Sequence, residues 1–334
     1  MENTKVTESR RAKVKESPFR YVPRTVLRLE SVVKPDKVVQ RRRMDDLVRA
    51  LNQGERGGIG PFEIDVLDWV NKLRYVTTEM IMDLYEGGYL LSGWRSVKKD
   101  KLPDIFNRLE KYQLVNLSRF TSVDENGCVN SSEYSSGRIV SLDRQGSTVL
   151  NELGIRASFN PFDIYQNGNT VKGYLATNQW LVYWLKNHPE EVKNNYATAR
   201  VLFLLTTERN GARIYATVTC KGKTMMAEPL RRCDEFMKDQ NQKEVFNKLE
   251  RLVNILDNPN DIYCEMEAVH FEGRPIITYV CEDEAHIGEA WEMLREETKK
   301  YPQQEVWLTS DLRIYNDTLQ EEEKFVRCRA GEML

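Results

Sequence analysis

Between Ser92 and Phe120 the chain carries seven Lys/Arg against Asp100, Asp104 and Glu110. Lys98, Lys99 and Lys101 precede a helix-forming run, LPDIFNRLEKYQLVNLSRF, at residues 102–120. Asn107, Arg108 and Lys111 lie on that helix, and Arg119 and Arg138 fall on the two strand-forming runs beyond it. Ammonium and guanidinium groups neutralise phosphates, while Asn and Arg offer planar donors to base edges. The chemistry expected of this set is nucleic-acid binding. A second cationic group lies upstream: residues 1–49 hold 14 Lys/Arg against 7 Asp/Glu, a net +7 that leaves −9 for the remainder. Arg41, Arg42 and Arg43 are its densest part. Such asymmetry suggests a basic arm for a polyanion on an acidic body.

Other chemistries find less support. The six cysteines (Cys128, Cys220, Cys233, Cys264, Cys281, Cys328) form no CxxC, and His188, His270 and His286 stand at no zinc-ligand spacing, so no metal or cofactor is expected. Cys220 and Cys281 sit in apolar strand-like runs and read as core; so do Trp180, Tyr183 and Trp184, at helical spacing. The chain has no GxxxxGK[ST], GxSxG or HExxH motif. A metal-dependent nuclease needs acidic residues and a lysine on neighbouring strands to hold Mg²⁺ and place water. Glu265 and Glu267 share one strand face in YCEMEAVHF, but no lysine follows at the required step. Glu282, Asp283 and Glu284 read as the cap of the helix after them. No catalytic residue is assigned.

The elements that must position the cationic set follow from periodicity. In the arm, SPFRYVPRTVLRLE holds apolar residues able to dock on a folded body, and a breaker cluster, GERGGIGP, ends the arm before Pro61. Phe62, Val66, Trp69, Val70 and Leu73 form a helical stripe, and Thr77 or Thr78 caps a second helix. The helix from residue 102 turns Ile105, Phe106 and Leu109 inward. VNLSRFTSV and SSGRIVSLD form a hairpin with a long tip, and RQGSTVLNELG a further helix stopped by Gly154. That order (three helices, a two-stranded wing, a helix) predicts a winged helix-turn-helix. From about Tyr174, helices and strands alternate as one α/β layer domain, with a hairpin from DIYCEMEAVHF to RPIITYVCED.

The segments VTTEMIMDLYEGG, LPDIFNRLEKYQLVNLSRF and GRIVSLDRQGSTVLNELG, followed by LATNQWLVYWL, resemble the replication-relaxation winged-helix proteins of plasmids and conjugative elements. IVSLDRQG matches the family's strand-to-helix turn, and ATNQW the helix start that opens its second domain. The likeness covers residues 62–310 in order of elements. It implies a role in replication, mobilisation or regulation of a mobile element. It also implies a second domain similar to the restriction-endonuclease fold, here degenerate and kept for docking or dimerisation.

The expected class is therefore α/β (α+β) in four parts: a basic arm and linker at 1–60, a winged helix-turn-helix at 61–156, an α/β domain at 157–320 and a charged tail at 321–334. The expected partner is double-stranded DNA, with a homodimer or protein partner through the second domain. A metal-dependent nuclease and a protein-docking adaptor are the alternatives. No run of about 18 apolar residues occurs, and MENTKVTESRRAKVKE lacks the apolar core of a secretory signal, so a cytoplasmic protein is expected.

Overall fold

The computed structural model describes residues 16–30, 59–90, 102–124, 126, 137–157, 159–204, 211–233, 238–257, 262–264 and 273–334. It is a mixed α/β chain with two sheets. Its contacts divide it into two units, one of residues 24–171 and one of residues 172–334 together with 1–23. The boundary expected at 156/157 thus falls at 171/172, and the presumed arm is shared between both units. Among the described residues no helix is long and apolar enough to cross a membrane.

In the 24–171 unit, β1 (Thr25–Leu29) precedes α1 (Pro61–Leu73), β2 (Tyr75–Thr77), α2 (Thr78–Glu86) and α3 (Leu102–Lys111). Then follow β3 (Val115–Ser122), β4 (Ile139–Leu142) and α4 (Arg144–Glu152). The stripe read on α1 is buried, and Thr77 caps α2 by accepting from the Met80 amide. Two strands escaped the sequence reading. β2 is only three residues long, and β1 belongs to the presumed arm. Both join the hairpin, giving the order β1-β3-β4-β2 with all pairs antiparallel. β1 runs along β3 with Leu27 opposite Phe120 and Arg28 opposite Arg119. The core gathers Phe62, Val66, Leu73, Met80, Ile81, Leu84, Phe106, Leu109, Leu117 and Val140.

Gly146 on α4 shows how tightly the helix seats. A methyl group there would lie inside contact distance of the Leu114 carbonyl oxygen and 2.8 Å from Leu142 Cδ1. That carbonyl already accepts from the Asp143 amide at 2.9 Å and cannot move without losing the bond. Gly146→Ala should therefore cost about 1–3 kcal/mol through overpacking. Urea denaturation of the variant beside wild type measures it, and an unchanged midpoint would show that α4 can shift.

The second unit contains α5 (Gly168–Asn187), which begins in the first unit, then β5 (Val192–Leu204), β6 (Gly211–Cys220), β7 (Lys223–Pro229) and α6 (Lys238–Asp257). After these come β8 (Ile262–Cys264), β9 (Ile276–Cys281), α7 (Glu284–Lys300) and β10 (Val306–Ser310). The chain finishes with α8 (Asp311–Tyr315), α9 (Glu321–Lys324), β11 (Val326–Arg329) and β12 (Glu332–Met333). The eight strands order as β12-β11-β10-β9-β7-β6-β5-β8. β7, β9 and β10 are mutually parallel, and the other pairs are antiparallel.

β9 is buried along its whole length, IITYVC, with strands on both edges and α6 and α7 clustered with Ile277, Tyr279 and Cys281 of one face. One cluster joins Leu249, Leu252 and Val253 of α6 and Ile287, Trp291 and Leu294 of α7 to Met226, Ile277, Tyr279 and Leu308 of the strands. α5 meets residues outside that cluster: Tyr174 touches Tyr215, and Trp184 stacks on Phe325. Trp180, Tyr183 and Trp184 are core residues, as their spacing predicts.

Two expectations need correction. The described part of DIYCEMEAVHF, β8, pairs with β5 at the sheet edge, while β9 lies between β7 and β10, so the two form no hairpin there. A strand as apolar as β9 gains more from a central position. Residues 321–334 are no tail: Phe325 and Cys328 are buried, and β11 and β12 extend the sheet beyond β10. Their burial outweighs the charge that suggested a solvated end.

Candidate nucleic-acid interface

α3 buries Leu102, Ile105, Phe106 and Leu109 and exposes Pro103, Asp104, Asn107 and Lys111. Positions 104, 107 and 111 share one helix face. Among the described residues Lys111 has no ion partner. The neighbouring cations are held differently.

Arg108 turns inward and pairs with Glu63 of α1, which has no exposed surface. The other oxygen of Glu63 accepts from the Gly60 amide at 3.0 Å, closing the start of α1. A carboxylate in that position requires a cation, because burying a lone charge costs several kcal/mol or more. The guanidinium expected on the solvent face is therefore engaged inside the fold.

Arg119 and Arg138 converge on one buried acid. Their Nε atoms donate to the same oxygen of Glu30 at 2.7 and 2.9 Å. Burial opposes ionisation of Glu30, but the hydrogen bond from Arg119 and the charge of Arg138 outweigh it, and its carboxyl titrates below the ordinary range. Arg138 also donates through Nη1 to Asn107 Oδ1 at 3.1 Å, which turns the Asn107 amino group away from the hairpin. Asn107, Lys111, Arg119 and Arg138 thus lie in one unit with two of them in direct contact. Lys98, Lys99, Lys101, Arg41, Arg42 and Arg43 lie outside the described residues, as do Glu265 and Glu267.

A second polar cluster, missed by the sequence reading, lies in the other unit at the carboxyl ends of β7, β9 and β10. Open α/β sheets bind ligands at such ends. Arg231, just after β7, grips Asp311 with both Nη atoms at 2.5 and 3.1 Å and donates to the Val280 carbonyl at 2.9 Å. Glu282, just after β9, accepts from the amides of Tyr21 and Arg232 at 2.7 and 3.0 Å. Ser17 donates to Asp311, and Lys172 donates to the Arg20 carbonyl at 3.0 Å. Burial brings the Lys172 ammonium down to about 8.

The chain's own residues 17–21 thus supply partners at these strand ends, and Phe19 is buried. The acidic run divides its work. Asp283 caps α7 by accepting from the His286 amide, Glu282 serves the buried cluster, and Glu284 pairs with Arg313 at 2.7 Å. The signal in sequence was the apolar pattern of SPFRYV; its polar partners Asp311 and Glu282 follow two distant strands and Lys172 lies on α5, so they could not be named from it.

Cys220 and Cys281 are buried strand residues. Burial pushes the Cys220 thiol up to about 11 and the Cys281 thiol higher still. Comparison of the chain with protein-family models, curated proteins and solved structures returned no match in any of the three.

Proposed function

We propose that the chain is a non-enzymatic DNA-binding protein whose residues 61–156 form a winged helix-turn-helix. The reading rests on the exposed face of α3, where Asn107 and Lys111 stand beside Arg138 at the base of the β3–β4 hairpin. The order α1, β2, α2, α3, β3, β4, with β4 between β2 and β3, agrees with such a module. α3 would enter the major groove, Asn107 and Lys111 would face base edges or phosphates, and Arg119 and Arg138, steadied by Glu30, would face phosphate. Lys98, Lys99, Lys101 and Arg41–Arg43 would supply further phosphate contacts. Arg108 would act indirectly, by holding α3 on α1. The second unit would dock a protein partner or a second copy. In keeping with the resemblance stated above, the DNA would belong to a plasmid, conjugative element or phage, and the role would be replication, mobilisation or its control.

Fluorescence anisotropy tests this with duplex DNA from the gene's upstream region and a scrambled duplex, at two salt concentrations. Lys111→Ala should weaken both duplexes alike and lower the salt slope by about 1. Asn107→Ala should cost about 1–3 kcal/mol on the preferred duplex and reduce the preference. No binding at low salt, or full binding by both variants, would overturn the assignment and favour a protein-docking adaptor.

A further inference from the structure

His188, Glu191 and Cys220 bring an imidazole nitrogen, a carboxylate oxygen and a thiol sulfur within 4.8 Å of one another. His188 and Glu191 lie on the turn after α5, and Cys220 is the last residue of β6. The turn is tight: the amides of Glu191 and Val192 both donate to the His188 carbonyl at 3.1 Å, which carries the Glu191 side chain back toward the ring. The imidazole rests against Trp184, with centroids 5.4 Å apart, and Trp184 in turn stacks on Phe325. Its plane is held by that stack.

The two ring nitrogens have different neighbours. Nδ1 lies 3.6 Å from Glu191 Oε1, and Nε2 lies 2.6 Å from Glu321 Oε2 on α9. In a tetrahedral zinc site, bonds of about 2.0–2.3 Å place ligand atoms roughly 3.3–3.6 Å apart. The His188–Glu191 separation already has that value. A carboxylate hydrogen-bonded to the far ring nitrogen is the usual companion of a metal-bound histidine. Glu321 stands within reach of Nε2, which makes no aligned hydrogen bond, and would take that role once the Nε2–H turns onto the carboxylate.

Charge points the same way. Glu191 and Glu321 both face the cluster, and the cation placed against them is Lys221, 3.0 Å from Glu321. On binding, the Cys220 thiol gives up its proton to solvent, so that two carboxylates and one thiolate face Lys221 and a divalent ion neutralises the remaining two charges. A nucleophilic use of the thiol would need access that Cys220, 2% exposed, lacks.

We propose that His188 Nδ1, Cys220 Sγ and the Glu191 carboxylate bind a divalent transition-metal ion, with Glu321 as the outer carboxylate on His188 Nε2. The mixed nitrogen, sulfur and oxygen set suits zinc, and three protein ligands leave the fourth position to water or a partner's side chain. Ligand-spacing rules could not find this site, since Cys220 stands 32 residues from His188 in sequence and adjacent only through the sheet. The proposal is independent of DNA binding.

The test titrates the reduced full-length protein with Co²⁺ and then with Zn²⁺. One equivalent of Co²⁺ should produce a sulfur-to-cobalt charge-transfer band and the intense visible bands of four-coordination, both bleached by Zn²⁺. Cys220→Ser should remove the charge-transfer band. Glu191, half-exposed at 50%, can be changed without disturbing the core, and Glu191→Gln should weaken Zn²⁺ at least tenfold. Glu321→Gln should weaken it by about 10–100-fold. Circular dichroism of each variant establishes that it is folded. Absence of the band in wild type, its persistence in Cys220→Ser, or unchanged affinity in both folded glutamine variants would overturn the proposal.

Discussion

Arg108→Ala should destabilise the 24–171 unit by about 3 kcal/mol, the scale on which breaking a buried ion pair acts. The loss arises at Glu63, which has no exposed surface and would be left buried without its cation. Arg108 itself is one-third exposed, so its own desolvation contributes little. Urea denaturation of wild type, Arg108→Ala, Glu63→Gln and the double variant completes a cycle that isolates the pair. The double variant should recover much of the loss, because a neutral amide no longer demands a cation. If Arg108→Ala unfolds at the wild-type midpoint, the pair contributes nothing and the guanidinium is available to a ligand. For this reason the DNA assay uses Asn107 and Lys111: lost binding by an Arg108 variant would not separate a missing base contact from a loosened α3.

The second large effect is acid sensitivity centred on His286. It is 3% exposed, and Nδ1 accepts from the Glu282 amide at 3.2 Å. Burial first, then the nearby charges of Arg232 and Arg231, push its imidazole down to about 3. An unfolded chain protonates this histidine near its ordinary value of about 6.5, whereas the fold keeps it neutral. The contribution is therefore fully present above pH 6.5 and is lost progressively as pH falls from 6.5 toward 3. At pH 4.5, two units below the unfolded value, the loss amounts to about 2–3 kcal/mol.

Glu282 and Asp311 work in the opposite sense. Burial raises both carboxyls, so the fold binds their protons more readily than the unfolded chain and gains stability as pH falls through their folded values. Asp283, held at about 2 by its hydrogen bond from Arg232, loses its contribution only at still lower pH. Comparing wild type with His286→Asn from pH 7 to 4.5 separates the histidine from the carboxylates. The asparagine variant should start less stable and fall less steeply; parallel curves would remove His286 as the cause.

Periodic segments were readable without the fold. α1, α2, α3, the β3–β4 hairpin and α4 announce themselves through apolar spacing, a Thr cap and a stopping glycine, all of which act within one or two turns of chain. The helices and most strands of the second unit did so for the same reason. What escaped were elements whose stability comes from a distant partner. β2 has three residues and exists through its pairing with β4. β1 was read as arm, and its pairing with β3 crosses some ninety residues. The tail of charges at 321–334 concealed Phe325 and Cys328, whose burial draws the segment onto β10.

The candidate sites divide along the same line. Composition and order by themselves determined that donors gather around one helix and hairpin, that an α/β layer domain follows, and where the core stripes lie. Those properties are sums over neighbours in the chain. Only the tertiary structure decided how each charge is held: Glu63 takes up Arg108, Arg119 and Arg138 share Glu30, and Lys111 stays exposed. It likewise decided that residues 17–21 meet the strand ends and that His188, Glu191 and Cys220 converge. A charge's availability depends on what burial places beside it, and burial brings together residues that sequence spacing keeps far apart.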